Sequence, residues 1–193
     1  MTGLKELGLT DNTLVIFTSD NGPLPTLAGS RTGGLRGAKD SLYEGGIREP
    51  FIVRWPGHAP AGRVDAETVV SALDLFPTIC ALTGTPLPEH VKFDGENLSQ
   101  AFSGESLTRR YPMFWEYGRN ESFGYPKEYP GQRSPNVAVR EGKWKLLVNA
   151  NGSSLELYDL GVDQNETTNV ADKNPGVAKR LKAAALASRK SLP

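Results

Sequence analysis

Apolar positions fall into short runs separated by glycine, proline and polar turns. Leu4-Lys5-Glu6-Leu7-Gly8-Leu9 reads as the last turns of an amphipathic helix with Gly8 as its stop. Thr13-Leu14-Val15-Ile16-Phe17-Thr18 follows without alternation, the pattern of a strand buried on both faces in a parallel sheet. A helix tail feeding an interior strand predicts earlier strands of that sheet outside this sequence. Phe51-Ile52-Val53-Arg54-Trp55, bounded by Pro50 and Pro56-Gly57, predicts a second strand, and Thr68-Val69-Val70 a short one. Asp74 is the expected N-cap of a helix through Leu82, with Pro77 in its first turn and Gly84 beyond its end. Asn97 is expected to cap a shorter helix carrying Leu98, Ala101 and Phe102, closed by Gly104.

The character changes near residue 105. Pro112-Met113-Phe114-Trp115-Glu116-Tyr117 reads as a strand, residues 118–135 as a loop, and Glu141-Gly142 as the turn of a hairpin between residues 137–140 and 143–148. Asn151-Gly152 then turns the chain into Leu155-Glu156-Leu157-Tyr158. A last helix is predicted with Asn174 as N-cap, Pro175 at its first position, and Val177, Leu181, Ala184 and Ser188 on one face. The expected architecture is α/β: part of a parallel α/β layer over residues 1–105, then a small antiparallel sheet with one packed helix over residues 106–193.

Composition narrows the function. Lys+Arg and Asp+Glu both total 22, so the 193-residue chain has no basic excess with which to bind nucleic acid. Hydrophobic residues at 38% and charged residues at 23% fit a globular chain, and no apolar run approaches the roughly 20 residues of a membrane span. No apolar segment of signal-peptide type follows Met1. Cys80 is the only cysteine and stands in an apolar stretch, where a buried inert thiol is expected.

Candidate chemistry gathers where the first strand ends. Asp20-Asn21 offers a carboxylate and an amide oxygen, hard donors suited to Ca²⁺ or Mg²⁺, at the carboxyl end of a strand, although Asp-Asn-Gly is also an ordinary turn. The loop Gly33-Gly34-Leu35-Arg36-Gly37-Ala38-Lys39 is glycine-rich and basic, so its backbone can approach an anion and Lys39 can reach it as a point charge. His58 and His90 read as polar loop residues. Residues 163–167 lack the glycine and final glutamate of a calcium loop and read as turn and capping residues. Arg36 and Arg48 are candidates either for anion contact or for bracing the loop. Trp115, Tyr117, Tyr125 and Tyr129 could line a sugar-binding rim, with core packing and loop anchoring the commoner outcome. Asn-x-Ser/Thr sequons begin at Asn97, Asn120, Asn151 and Asn165.

Taken in order, Thr18-Ser19-Asp20-Asn21-Gly22, Leu35-Arg36-Gly37-Ala38-Lys39, Tyr43-Glu44-Gly45-Gly46-Ile47-Arg48-Glu49-Pro50-Phe51 and Trp55-Pro56-Gly57-His58 resemble the signature series of the type I, formylglycine-dependent sulfatases. The resemblance runs on through Leu73-Asp74-Leu75-Phe76-Pro77-Thr78, Ala138 to Leu146 and Glu156-Leu157-Tyr158-Asp159-Leu160, and is nearest to the arylsulfatase A and N-acetylgalactosamine-6-sulfatase branch. It implies an alkaline-phosphatase-like fold, of which this chain holds the C-terminal portion, and hydrolysis of an aryl or carbohydrate sulfate. It also implies a Ca²⁺ ion to which Asp20 and Asn21 contribute, and a sulfate contact by Lys39. The family's formylglycine arises within Cys/Ser-x-Pro-x-Arg, which this sequence lacks; Cys80 has neither the proline nor the arginine. The nucleophile and the family's early Asp pair are therefore expected in a missing N-terminal sulfatase segment, and this chain alone is expected to be inactive. A non-catalytic module or split-gene partner is the alternative, and a zinc-dependent phosphoesterase is disfavoured by only two His residues. Complete relatives are usually periplasmic, secreted or lysosomal.

Overall fold

The structure is a computed structural model and describes residues 1–27, 31–118 and 130–192. Tyr125, Tyr129 and the sequon at Asn120 lie outside the described residues. The chain folds as two compact units, one of Met1–Thr18 with Phe51–Tyr111, the other of Ser19–Pro50 with Pro112–Pro193.

The first unit holds α1 (Thr2–Glu6), β1 (Val15–Thr18), β2 (Phe51–Arg54), α3 (Ala72–Thr83) and α4 (Ser99–Phe102); α2 (Glu44–Ile47) belongs to the second unit. β1 and β2 pair antiparallel, with Phe17 opposite Ile52 and Thr18 opposite Phe51. The expectation of a parallel strand covered on both faces is therefore corrected. Phe51 packs edge-to-face against Phe102 of α4 at 6.1 Å, which covers one face. The cross-strand pair Phe17 and Ile52 on the other face is 62% and 57% exposed. Thr68-Val69-Val70 forms no strand.

The N-cap of α3 is Ser71, not Asp74. Ser71 Oγ accepts the Leu73 N–H at 3.3 Å, and Asp74, at the third helical position, accepts the Ser71 N–H at 2.6 Å. Ser-x-x-Asp satisfies two orphan donors reciprocally, where Asp74 as cap would satisfy one and leave Ser71 idle. Asp74 is buried, and its other bonds come from the Glu96 N–H and the Arg109 guanidinium. Pro77 accordingly sits inside the helix rather than in its first turn. Gly84 ends α3 in the left-handed conformation, and Cys80 is a buried free thiol. For α4 the cap position is Leu98, while Asn97 Oδ1 accepts the Ser99 N–H at 2.9 Å.

The second unit carries a four-stranded antiparallel sheet in the order β3 (Met113–Glu116), β4 (Val137–Glu141), β5 (Trp144–Val148), β6 (Glu156–Asp159). Period-two alternation sorts its side chains. Val137, Val139, Leu146, Val148 and Leu157 pack on α5 (Pro175–Ser191) through Ala178, Leu181 and Ala185. Of the predicted face, Leu181 is buried in this core and Val177 packs beside it, while Ala178 and Ala185 take the buried places next to Val177 and Ala184. The opposite sheet face, with Ala138, Leu147 and Tyr158, packs on Leu42 and Tyr43. One sheet therefore lies between α5 and the segment that carries the candidate chemistry.

Candidate functional site

Asp20, Asn21 and Lys39 all belong to the second unit, and backbone hydrogen bonds bring their segments together. The Lys39 N–H donates to the Pro23 carbonyl at 2.9 Å, and the Gly22 N–H to the Gly46 carbonyl at 3.0 Å. The Gly45 N–H donates to the Arg36 carbonyl at 2.6 Å. Three segments thus meet at α2, and glycine makes the meeting possible. A Cβ on Gly22 would stand 2.0 Å from the Gly45 carbonyl oxygen, and one on Gly46 2.2 Å from that of Ser41 and 2.4 Å from that of Ala38. Gly22 adjoins Asn21 and Ala38 adjoins Lys39, so α2 is the shared support of both.

Asp20 is exposed, and Asn21 and Lys39 are half-buried. Among the described residues the Lys39 ammonium makes no hydrogen bond or ion pair, which leaves it available to an anion. Sequence reasoning passed over Glu49. Glu49 lies close enough to Asp20 for the charge of that carboxylate to act on it. Burial and the charge of Asp20 push the Glu49 carboxyl up, and its Oε1 is buried with no hydrogen-bond partner among the described residues. The signal was Arg48-Glu49-Pro50, a charged pair immediately before a strand.

The donor set of carboxylate and amide oxygens, with an orphaned carboxylate oxygen close by, fits a hard cation such as Ca²⁺ and not zinc. It is partial. No group of three or more His, Cys, Asp or Glu converges to hold a metal among the described residues, and calcium takes six to eight oxygens.

Arg36 is committed to bracing. Its guanidinium lies 3.8 Å over the Tyr43 ring and donates to the Tyr158 hydroxyl at 2.9 Å and the Glu166 carbonyl at 3.0 Å. Tyr43 and Tyr158 both donate to Glu156 Oε2, at 2.8 and 2.9 Å; burial and that carboxylate push both phenols up. Arg48 donates to Gln164 at 3.3 Å and lies 3.7 Å from Glu44. His58 stacks on Trp55 at 4.0 Å, and His90 is exposed. Trp115 and Tyr117 pack beside the Tyr43 and Tyr158 cluster rather than forming a free rim. Asp163 organises the turn read from residues 163–167, accepting the Thr167 and Thr168 N–H groups, each at 2.9 Å from Oδ2.

The described residues form an α/β protein with two antiparallel sheets and a C-terminal helix, and its likeness to solved sulfatases places it in the alkaline-phosphatase-like class. The sulfatase family profile matches residues 1–85. Over 94% of this chain there is 37% identity to human arylsulfatase A and 33% to the N-acetylgalactosamine-6-O-sulfatase of Bacteroides thetaiotaomicron. Among solved structures, a sulfatase from glycosaminoglycan metabolism in Bacteroides thetaiotaomicron aligns with TM-score 0.75 and 31% identity, over 100% of this chain and 42% of that one. Ps i-CgsB in complex with k-i-k-neocarrahexaose aligns with TM-score 0.75 and 32% identity, over 93% of this chain and 37% of that one. The chain belongs to the type I sulfatase family. It spans 39% of the length of the human relative and 37% of the bacterial one.

Proposed function

We propose that the chain is the C-terminal portion of a sulfuric-ester hydrolase acting on an aryl or carbohydrate sulfate. In this reading Asp20 and Asn21 contribute to a calcium site and Lys39 contacts the sulfate group. One observation carries the reading: α2 supports both the Asp20-Asn21 segment and the Lys39 segment through glycine contacts too close for any side chain. The names of the relatives, arylsulfatase A and N-acetylgalactosamine-6-O-sulfatase, support the reaction class.

Asp20 and Asn21 would hold the cation by their side-chain oxygens, and calcium, when bound, neutralises charge on sulfate oxygens. The Lys39 ammonium, without a partner of its own among the described residues, orients the sulfate group and stabilises the negative charge that grows as the ester S–O bond breaks. The Lys39 N–H bond to the Pro23 carbonyl fixes where its side chain starts, and the flexible stem carries the charge to the sulfate oxygens. The formylglycine nucleophile and the remaining calcium ligands would come from an upstream segment, because Cys/Ser-x-Pro-x-Arg is absent from this sequence.

The test joins this chain to an upstream sulfatase segment carrying that motif and follows sulfate release from an aryl sulfate. Lys39→Ala is expected to lower kcat/KM by about 10²–10³, as loss of one charge contact does. Asp20→Asn is expected to raise the calcium needed for half-maximal activity. Turnover by Lys39→Ala within threefold of the parent would remove Lys39 from the site. The 193-residue chain alone is expected to release no sulfate, and calcium-dependent saturable release from it would overturn the division of labour.

A further inference from the structure

Beneath α2 lies a cluster of buried charges that the proposed chemistry does not use. Lys145, in β5 on the sheet face turned from α5, is fully buried. Its ammonium lies 2.8 Å from Glu44 Oε1 and 2.9 Å from Glu166 Oε1. Glu166 is also fully buried, with a left-handed backbone at φ 55°. Its second oxygen accepts the Glu44 N–H at 2.6 Å, and its main-chain carbonyl accepts from Arg36 at 3.0 Å. Glu166 thus grips the first residue of α2 with its side chain and, through the Arg36 guanidinium, the loop leading to Lys39 with its backbone.

Stability alone does not account for this arrangement. Desolvating three charges offsets much of what pairing returns, and apolar side chains of similar volume would serve a core at least as well. What the ions supply is direction: a lysine and a carboxylate fix the side chain and the N–H of Glu44 at once. From Glu44 the constraint passes without slack. The Gly46 carbonyl accepts the Gly22 N–H, the Arg36 carbonyl accepts the Gly45 N–H, and no Cβ fits between these backbones.

We propose that Glu166 and Lys145 are positioning residues that set, from the C-terminal sheet, where Asn21 and Lys39 stand relative to each other. The inference rests on the reading of those residues as the site, yet its first test does not depend on turnover. Residue-resolved hydrogen exchange is measured on the chain and on Glu166→Gln, which keeps the size and one acceptor. The N–H groups of Gly22 and Lys39 are expected to exchange about tenfold faster or more, together with that of Glu44, as local opening follows loss of a charge-assisted bond. Those of Val139 and Leu146, on the α5 face, are expected to stay within twofold. If Glu44 opens while Gly22 and Lys39 do not, the positioning role is refuted. If Val139 and Leu146 accelerate equally, the cluster serves only the sheet, and the proposal is again refuted. Should Glu166→Gln not fold, the double variant Lys145→Met/Glu166→Gln, which removes one charge of each sign, is read by the same criteria. Lys143→Ala, breaking an exposed pair with Asp159 beside the same strand, is the control and is expected to change none of these amides.

In the joined enzyme, Glu166→Gln is expected to lower kcat about tenfold with KM within threefold, and an unchanged kcat would count against the proposal. A parent enzyme that releases no sulfate would sink the sulfatase reading, while the exchange pattern still decides the positioning.

Discussion

Gly46 has carbonyl oxygens on two sides of the place a side chain would occupy, those of Ser41 at 2.2 Å and Ala38 at 2.4 Å. Both belong to the backbone and cannot rotate away. Gly46→Ala is therefore expected to cost about 1–3 kcal/mol or more, read as a lower urea midpoint with unchanged slope. An unchanged midpoint would show that the α2 junction has slack. Asp163 gives a second residue-scale expectation. Burial pushes its carboxyl up, but the Thr168 and Thr167 N–H bonds and the Thr167 hydroxyl outweigh that and hold it below its ordinary value. The folded state then binds this proton less tightly than the unfolded one. The stabilisation is complete above the unfolded pKa of about 4 and is lost as pH falls through the folded value. Urea midpoints taken between pH 5 and pH 3 are expected to fall less steeply in Asp163→Asn than in the parent. Equal slopes would remove Asp163 from the acid response.

At the scale of elements, α3 shows what patterning reveals and where it stops. The helix and its glycine stop were legible from residues 74–84, but Ser71 and Asp74 both suit a cap, and only the burial of Asp74 between the Glu96 N–H and Arg109 decides between them. Ser71→Ala is expected to cost about 1 kcal/mol, the usual loss for a cap hydroxyl, and a thermal midpoint equal to the parent's would contradict the box. The four-stranded sheet was legible because its strands are short and β-rich and Gly142 and Gly152 mark turns after β4 and β5. Its deeper chemistry was not. Lys145 stands inside Trp144-Lys145-Leu146-Leu147-Val148, and alternation alone puts it on the face with Leu147. That this face meets Glu44, more than a hundred residues earlier in the chain, is a tertiary fact with no local signature. Glu166 was hidden for the same reason: residues 163–167 read as a turn, which they are, and nothing in a turn tells which side chain points inward. Asp20, Asn21 and Lys39 are candidates by residue type, but Asp-Asn-Gly is also an ordinary turn and only the family resemblance singled them out, whereas their shared support on α2 is visible only in three dimensions.

For the whole molecule the bare face of the β1–β2 ladder matters most. One face of this ladder is closed by Phe102 on Phe51, and the other presents Phe17 opposite Ile52, 62% and 57% exposed. The unalternating sequence of β1 had implied cover on two sides. An exposed cross-strand pair of large apolar side chains is the kind of surface that recruits a partner or promotes association. If this chain functions joined to an upstream sulfatase segment, that segment has apolar surface to cover here, and the chain by itself is expected to associate. Sedimentation of the chain should then show mass above the monomer that rises with concentration, and Phe17→Ser/Ile52→Thr should shift it toward the monomer while leaving the C-terminal sheet's hydrogen-exchange protection in place. A parent chain that stays monomeric across the concentration range would argue for the module reading instead, because a stand-alone domain has to tolerate this face in water. A double variant that associates as strongly as the parent would locate the adhesive surface elsewhere, with Leu73 and Phe76 on α3, 59% and 53% exposed, the next residues to change.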